Sequence, residues 1–354
     1  RIPSELGHLT SLQQLFLQGN ALTGPLPTEL GLMDSLMDLE LSQNLLSGRL
    51  PTTLGTLTNM RNLFVLGNRL TGTVPSEVGE MTALENLILN SNLLSGSPAS
   101  ELGRLSLLSV LHLFDNLFAG EIPSEFGMLR ALEQLGLFVT LVTGTVPSEI
   151  GNLSTLQLLF LHTNTLVGPI PSELGRLTSA NGIDLSNNQL DGSLPSELGL
   201  LTNIHALILS ENLLRGSIPT EYGLLTTAHL WNLRTNNLTG VLPSELGELS
   251  SVSTLSLRQN QLSSSIPSEL GRLVTMVELR LEDNQLFGSV PQEIFDLGAT
   301  TGSSLRLLGL GGNENLSGTV PQSACLSIDQ LLDFDCTSRF CGCSCMCGQL
   351  DIPV

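Results

Sequence analysis

The side chains best suited to covalent or metal chemistry are six cysteines near the end of the sequence. The full set is Cys325, Cys336, Cys341, Cys343, Cys345 and Cys347, and the last four form a C-x-C-x-C-x-C run. Six cysteines can form disulfides, which indicate an oxidising compartment, or a thiolate cluster for a soft metal. Zinc-finger spacing is absent from the sequence, so disulfides are favoured. If all six pair within the chain, at least one bridge joins two cysteines of the run.

The histidines, serines and glutamates form no recognisable catalytic group. The sequence has no Gly-x-Ser-x-Gly, no His-Glu-x-x-His and no phosphate-binding glycine loop. Catalysis needs a nucleophile or an acid–base pair held by a third group. His205 and His229 share a repeat position and could chelate a metal, but no carboxylate shares that position. We therefore expect no catalytic residues, no cofactor, no metal site and no enzymatic activity.

A recurring glutamate offers one more kind of chemistry, the binding of calcium. Each of these residues follows Pro-Ser or a close variant, and a glutamate at the start of a short helical turn complements the amide dipoles there. We favour this structural role over calcium binding. The glutamates are Glu5, Glu29, Glu77, Glu101, Glu125, Glu149, Glu173, Glu197, Glu221, Glu245, Glu269 and Glu293.

Composition and charge exclude several classes of partner. The formal net charge is -19, which argues against nucleic acid and against anionic membrane surfaces. No apolar run approaches the roughly 18 residues that span a bilayer. The first four residues, Arg1 to Ser4, do not resemble a signal peptide and look like the middle of a repeat. We interpret the chain as a processed form or a fragment, so that a membrane tether would lie upstream of it.

The elements that position these side chains are set by a 24-residue repeat. Apolar residues lie eight, five and three positions before an asparagine, and a Leu-x-Gly-x-apolar-Pro segment follows it. We call the asparagine position of each repeat a rung. Thr140 occupies the one rung without asparagine, and thirteen such repeats cover nearly the whole chain. The asparagines are Asn20, Asn44, Asn68, Asn92, Asn116, Asn164, Asn188, Asn212, Asn236, Asn260 and Asn284, with Asn313 after a longer spacing.

This L-x-x-L-x-L-x-x-N-x-L-x-G-x-I-P pattern resembles the plant-type leucine-rich repeat of receptor-kinase ectodomains and polygalacturonase-inhibiting proteins. The resemblance implies an α/β solenoid, a right-handed superhelix with a concave parallel sheet and short 3-10 or helical turns on its convex side. We expect the solenoid to cover residues 1–321, without an N-terminal cap, and a disulfide-rich cap to cover 322–354. The cysteine-rich tail is similar to the ends of secreted leucine-rich-repeat proteins of diatom-like algae.

The physics of the repeat leads to the same fold. Alternating leucines turn inward when their segment forms a strand, and one unit buries its apolar face only by stacking on its neighbours. An asparagine at the turn can pair with backbone groups left free there. Trp231 replaces a core leucine, and Ala180 and Ala228 occupy leucine positions near it in the repeat pattern. We interpret this large-next-to-small arrangement as compensation of volume.

The residues between and just after the strand leucines should face solvent on the concave side. A solvated strand face should be polar, yet the third to seventh repeats place apolar and aromatic residues there, which indicates an interaction site. The alternative is that these residues are merely tolerated or are covered by segments outside the chain. The predicted ligand-binding residues are Phe64, Leu66, Ile88, His112, Phe114, Phe138, Phe160 and His162.

Three arginines further along the same face could hold a carboxylate or a sulfate by paired hydrogen bonds. These candidate anion-binding residues are Arg234, Arg258 and Arg280. Acidic residues at 184, 278 and 282 should neutralise them, so a solvated charge network is favoured over an anion site. Peptide receptors of the family hold a peptide carboxylate with Arg-x-Arg, and the Arg280-Leu281-Glu282 segment departs from that pattern.

Three acceptor triplets for N-glycosylation begin at Asn152, Asn237 and Asn315. With the cysteines, they predict an extracellular or cell-surface protein of the secretory pathway. We expect a recognition module that binds a protein, a peptide or a glycan on its concave face. The alternative is a structural or adhesive component that assembles through lateral contacts. Ice binding is a weaker hypothesis, because threonines such as Thr23 and Thr71 alternate with Ser, Asp and Arg.

Overall fold

The computed structural model describes residues 1–299 and 305–318. The predicted cap at 322–354, with its six cysteines, lies outside these residues. The chain forms two compact units, Arg1–Asp191 and Gly192–Val354. Within each unit, every repeat contributes a short inner strand, a short outer strand and a helical turn. This regular alternation confirms the predicted α/β solenoid.

The inner strands contain the alternating leucines and pair in parallel. Residues at the same position of neighbouring repeats are paired, so that Leu39 pairs with Leu63 and Leu63 with Leu87. In the first unit they are Gln14–Phe16, Asp38–Glu40, Asn62–Phe64, Asn86–Ile88, Val110–His112, Gln134–Gly136, Leu158–Phe160 and Gly182–Asp184. In the second unit they are Ala206–Ile208, Leu230–Asn232, Thr254–Ser256, Glu278–Arg280 and Leu307–Gly309.

The outer strands contain the residues that follow each asparagine rung. In the first unit they are Thr23–Gly24, Leu45–Gly48, Arg69–Gly72, Leu93–Gly96, Leu117–Glu121, Leu141–Thr143, Val167–Pro169 and Gln189–Asp191. In the second unit they are Arg215–Gly216, Asn237–Gly240, Gln261–Leu262, Phe287–Ser289 and Asn315–Ser317. The glycine of most of these segments has a positive φ, as at Gly120 (φ 92°), which is the bend that the pattern predicted.

Short 3-10 helices complete the repeats. A proline lies directly before all but one of them, and its fixed φ, as at Pro123 (φ -64°), sets the direction of the first turn. In the first unit the helices are Ser4–His8, Thr28–Leu32, Thr52–Thr56, Ser76–Glu80, Ser100–Arg104, Ser124–Met128, Ser148–Asn152 and Ser172–Arg176. In the second unit they are Ser196–Leu200, Thr220–Leu224, Ser244–Glu248 and Ser268–Arg272, followed by an α-helix, Gln292–Ala299.

The interior of each unit is filled by the leucines of the inner strands and the apolar residues of the helical turns. Leu39, Leu63 and Leu87 have no solvent exposure. In the second unit, Trp231 is buried with Ala228 of the same repeat, and its ring packs against Tyr222 at a centroid distance of 5.7 Å. Trp231 and Ala228 are thus both core residues of one repeat, and compensation of volume between them stays a prediction.

The asparagine rungs connect neighbouring repeats through their amide groups. The amide nitrogen of Asn116 donates to the carbonyl oxygens of Leu89, Leu113 and Phe114, and its oxygen accepts from the N–H of Leu94. One buried side chain thus satisfies backbone groups of two repeats, which confirms the predicted role. At the exceptional rung, the Thr140 hydroxyl donates to the Asn164 side-chain oxygen at 2.6 Å. A hydroxyl has a single proton, so Thr140 cannot serve three carbonyl groups.

A second glycine in each repeat has a role that the sequence analysis did not identify. Gly127 lies inside the helical turn Ser124–Met128, where it is packed against the next turn. A Cβ atom at this position would overlap the carbonyl oxygen of Glu149. The equivalent glycines of other repeats make the same approach, so glycine is required here because adjacent helical turns touch through their backbones.

Candidate functional site

The face of the inner strands that points away from the apolar interior is called the open face below. In the first unit it contains all eight predicted ligand-binding residues, which either end adjacent inner strands or lie two residues after them. None of them is in the interior, and each is half-buried. The eight are Phe64, Leu66, Ile88, His112, Phe114, Phe138, Phe160 and His162. Their role as ligand contacts stays a prediction.

Three of these rings stack on one another along the sheet. Phe114 and Phe138 are nearly parallel (10°) with centroids 4.2 Å apart, and Phe138 and His162 lie at 21° and 4.4 Å. These distances are close to the spacing of about 4.8 Å between neighbouring strands. The register of the sheet therefore produces the stack, which we call the ring ladder (Phe114, Phe138 and His162).

Beside the ring ladder, a pocket of about 240 Å³ opens above Gly136. Gly136 pairs with His112 on one side and with Phe160 on the other, so it is a position without a side chain between two rings. We call this pocket the Gly136 slot. Its lining residues are His112, Phe114, Gln134, Leu135, Gly136, Phe138, Leu158 and Phe160.

Gly136 occupies an outward-facing position of its strand, but the repeat pattern alone does not identify the pocket above it. The sequence does contain one indication of it: Gly136 has His112 at the same position of the preceding repeat and Phe160 at the same position of the following one. A glycine there leaves a pocket only if neighbouring side chains do not fill the space above it. At Gly309, the other glycine of this kind in the described residues, the carboxylate of Glu282 fills the space instead.

The electrostatics of the slot favour an uncharged interior. Burial lowers the pKa of His112 below its ordinary value, and a side-chain hydrogen bond with Gln134 opposes this effect more weakly. The imidazole is therefore mainly neutral at pH 7. Asp184 follows Phe160 in the strand register, and one of its oxygens accepts from the backbone and the hydroxyl of Ser186.

A hydrogen-bonded polar row borders the aromatic surface on the side of the earlier repeats. Gln14 and Asn62 both donate to the carboxylate of Asp38, and Asn86 donates to the side-chain oxygen of Asn62 at 2.7 Å. These residues precede the central leucines of their strands. The open face of the first unit thus combines an apolar centre with a polar border, the composition found at protein interfaces.

In the second unit, two of the candidate anion-binding arginines are paired with carboxylates. Arg234 bonds to Glu211 at 2.5 Å, and Arg280 lies 3.2 Å from Glu278 and 3.9 Å from Glu282. These pairs agree with the predicted charge network, although Glu211 was not among the expected partners. Binding of an anion by Arg234, Arg258 and Arg280 stays a prediction.

Glu282 has an unusual environment within this network. Among the described residues, its Oε2 atom, the Nε atom of Arg258 and the hydroxyl of Ser256 are buried and have no hydrogen-bond partner. Burial raises the pKa of Glu282, and its own backbone N–H and the nearby Arg280 and Arg258 lower it by smaller amounts. The ionised form of Glu282 is therefore less favoured here than attraction to Arg280 and Arg258 alone would make it.

The remaining candidate residues lie on the surface. Asn152, Asn237 and Asn315 are exposed, and their use as glycosylation sites stays a prediction. The rings of His205 and His229 are 5.5 Å apart and exposed. Within residues 1–299 and 305–318, no group of three or more His, Cys, Asp and Glu is arranged to hold a metal ion. In the same part of the chain, no helix is long and apolar enough to span a membrane.

A second apolar surface lies on the outer strands of the first unit. Leu93, Leu117 and Leu141 occupy the same position in consecutive strands, and 47%, 48% and 55% of their surfaces are exposed. We call these residues the leucine stripe. These leucines occupy the variable position directly after each asparagine position of the repeat, to which the sequence pattern assigns no role, so the stripe was not predicted.

Comparisons with known proteins agree with this architecture. The family described as "Leucine Rich Repeat" matches residues 11–33, 181–201 and 251–273. No curated protein sequence matches the chain at a significant level. Among solved structures, the chain is similar to the plant peptide hormone receptor RGFR1 in complex with RGF2, with 33% identity and a TM-score of 0.82. That match covers 91% of this chain and 55% of the receptor, so the chain spans about half of the receptor's length.

Two further structures extend the comparison. The chain is similar to the Arabidopsis receptor kinase HAESA in complex with the peptide hormone IDA and the co-receptor SERK1, with 29% identity, a TM-score of 0.69, and coverage of 91% of this chain and 61% of HAESA. It is also similar to the leucine-rich-repeat protein LIC12759 of Leptospira interrogans. That match has 32% identity and a TM-score of 0.74, and it covers 93% of this chain and 79% of the other.

Proposed function

The chain belongs to the leucine-rich-repeat family, and on that premise we propose that it is a non-catalytic recognition module that binds a peptide or protein ligand outside the cell. The ligand lies on the open face of the first unit. Phe64, Ile88, Phe114, Phe138 and Phe160 supply its apolar contacts.

The observation that carries this proposal is the half-buried aromatic surface on a strand face that no other part of the described chain covers. A solvated face of a sheet is ordinarily polar, and contiguous apolar area on a soluble protein usually marks an interaction site. Aromatic anchors at the centre of a patch, with polar residues around them, contribute most of the binding energy in protein interfaces. The polar row from Gln14 to Asn86 supplies such a border.

The solved relatives support a peptide as the ligand. RGFR1 and HAESA were each solved with a peptide hormone, and HAESA also with a co-receptor. The proposed extracellular location is supported by the same relatives, and it agrees with the predicted glycosylation acceptors and the predicted disulfides.

The experiment compares a doubly substituted chain with the wild type. Peptides are selected on the wild-type chain from a random displayed library, and their affinities are then measured for Phe64→Asp/Phe138→Asp. Two carboxylates on the apolar surface should abolish binding of the selected peptides. The matched control is Phe287→Asp on an exposed outer strand of the second unit, and it should bind as the wild type does. Circular dichroism of each variant checks that it is folded, and undiminished binding by the folded double variant would refute the proposal.

A second candidate function rests on the leucine stripe. Three adjacent exposed leucines on the outer strands form an apolar surface that suits lateral assembly of a structural or adhesive protein. Sedimentation equilibrium of the wild type and of Leu117→Ser/Leu141→Ser tests this function. Assembly through the stripe predicts an oligomer that dissociates in the variant, whereas a recognition module predicts unchanged mass and unchanged binding of the selected peptides.

A further inference from the structure

We infer that the Gly136 slot receives one uncharged aromatic side chain of the ligand, inserted between His112 and Phe160. The inference rests on the proposed function of the open face. It adds the chemical class of the residue that the face recognises and the position at which recognition occurs.

The spacing of the strands sets the width of the slot. His112 and Phe160 are both register partners of Gly136, so they lie two strands apart. At about 4.8 Å per strand, the two residues are separated by roughly 9.6 Å along the sheet. On this backbone spacing, a ring midway has about 4.8 Å on each side, within the range of about 4.5–7 Å that aromatic pairs prefer. The base of the slot is narrower, because Cδ1 of Phe114 and Cδ2 of His112 lie 3.2 and 3.4 Å from the place of a Cβ atom on Gly136, so the ligand ring enters above them.

The ring ladder beside the slot shows that this surface accepts rings at that spacing. Phe114, Phe138 and His162 each lie two residues after one of three consecutive inner strands, and their rings are 4.2 and 4.4 Å apart. The parallel row of His112, Gly136 and Phe160 has the same register but lacks its middle ring. The plane of His112 is turned 55° from Phe114 and that of Phe160 is turned 77° from Phe138. A ligand ring that lies above Gly136 parallel to the ladder therefore meets these two rings in tilted or edge-to-face contacts, which aromatic pairs favour.

The size and the charge of the slot restrict its occupant. A volume of about 240 Å³ is smaller than the roughly 300–1,000 Å³ of sites that enclose a whole small molecule, so it fits a single side chain. None of the described lining residues is an Asp, a Glu or an Arg. An ionised side chain would therefore lose water without gaining a counterion. An aliphatic side chain would be buried but would not gain the ring contacts.

Gly136 is not explained by the local backbone. Its φ lies outside the left-handed region that favours glycine, and a Cβ atom there would meet only side-chain atoms, the nearest being Cδ1 of Phe114 at 3.2 Å. This differs from Gly127, where a Cβ atom would overlap a backbone carbonyl oxygen. The absence of a side chain at Gly136 leaves the slot open, and a side chain introduced there fills it.

The test uses N-acetyl-tryptophanamide and N-acetyl-phenylalaninamide as probes, with N-acetyl-leucinamide and N-acetyl-lysinamide as comparisons. Binding to the wild-type chain is followed by ligand-observed NMR titration. We expect the two aromatic amides to bind with dissociation constants of about 1 mM and the other two at least about fivefold more weakly. Equal binding of all four amides, or no binding of the aromatic ones, overturns the inference.

Substitutions then locate the site. Gly136→Leu should weaken binding of the aromatic amides by about tenfold or more, and Gly136→Ala by less, because a methyl group fills less of the slot. The matched control is Asn232→Leu, which introduces the same side chain at the equivalent strand position in the second unit and should bind as the wild type does. Wild-type affinity of Gly136→Leu for the aromatic amides overturns the inference.

The library-selected peptides separate this inference from the proposed function. If Gly136→Leu binds them normally while Phe64→Asp/Phe138→Asp does not, the open face is the ligand site and the slot inference is wrong. If both variants bind them normally, the proposed function itself is wrong. Loss of binding in both variants, with enrichment of an aromatic residue in the selected peptides, is the result that the inference predicts.

Discussion

At the scale of single residues, Gly127 and Gly136 differ in what surrounds them, although both lie in one repeat. A methyl group at 127 would overlap a backbone oxygen of the next helical turn, whereas one at 136 would meet only side chains. We predict that Gly127→Ala lowers the free energy of unfolding by about 1–3 kcal/mol or more. Gly136→Ala, its matched control, should change it by much less. Urea unfolding of both variants measures the difference, and equal stabilities would show that the turns do not touch as described.

Glu282 gives a prediction for the dependence of stability on pH. Burial raises its pKa in the folded protein, so folding favours the protonated form. The contribution of Glu282 to stability is therefore fully present at low pH. It is lost as pH rises from the pKa of Glu282 in the unfolded chain to its higher pKa in the folded protein. Glu282→Gln should stabilise the protein at pH 7, and the gain should disappear at about pH 4 and below.

Urea unfolding of Glu282→Gln at both pH values measures this effect. Glu278→Gln is the control, because that carboxylate is more exposed than Glu282 and bonds to Arg280. It should show no gain at pH 7. A loss of stability in Glu282→Gln at pH 7 would mean that attraction to Arg280 and Arg258 outweighs burial.

At the scale of structural elements, the asparagine rungs determine how well each repeat is joined to the next. Thr140 offers one hydroxyl proton where Asn116 makes three donations and accepts once. We predict that Thr140→Asn stabilises the chain by about 0.5–2 kcal/mol and that Asn116→Thr destabilises it. Thermal unfolding followed by circular dichroism measures both, and a lower melting temperature for Thr140→Asn would contradict the account of the rung.

Most of these elements could be predicted from the sequence because they follow from local chemistry. Alternating leucines place the inner strands, Pro-Ser-Glu starts the helical turns, and the asparagine pairs with backbone at the bend. The glycine of the helical turn, as at Gly127, could not be explained in this way. Its reason is a contact with the following repeat, and the distance between repeats is not visible in the sequence.

The candidate site was predictable in part for the same reason. Strand periodicity placed Phe64, Phe114 and Phe138 on the open face, because an offset within the repeat determines which face a side chain occupies. The stacking of the rings and the open space above Gly136 depend on side-chain rotamers and on what neighbouring residues fill. Gly309 has a similar offset, yet Glu282 fills the space above it. Periodicity alone therefore could not identify the slot.

At the scale of the whole molecule, structural positions and functional positions are separated within each repeat. Leucine, asparagine, glycine and proline recur because each is needed for stacking, whereas the open-face positions vary from repeat to repeat. Stability in such arrays is approximately a sum over repeats and their interfaces. Substitutions of the apolar open-face residues of the first unit should therefore alter binding more than folding, which is what makes the binding experiments interpretable.

The central claim is that the aromatic surface of the first unit binds the ligand, and the most direct test is calorimetric. One selected peptide is titrated into the wild type, into Phe138→Ala and into Leu117→Ala. Because Phe138 contacts Phe114, Phe160 and His162, its removal should cost about 2 kcal/mol or more of binding, roughly thirtyfold in affinity. Leu117→Ala, on the leucine stripe, should leave the affinity unchanged. Unchanged affinity in Phe138→Ala together with a large loss in Leu117→Ala would contradict the account.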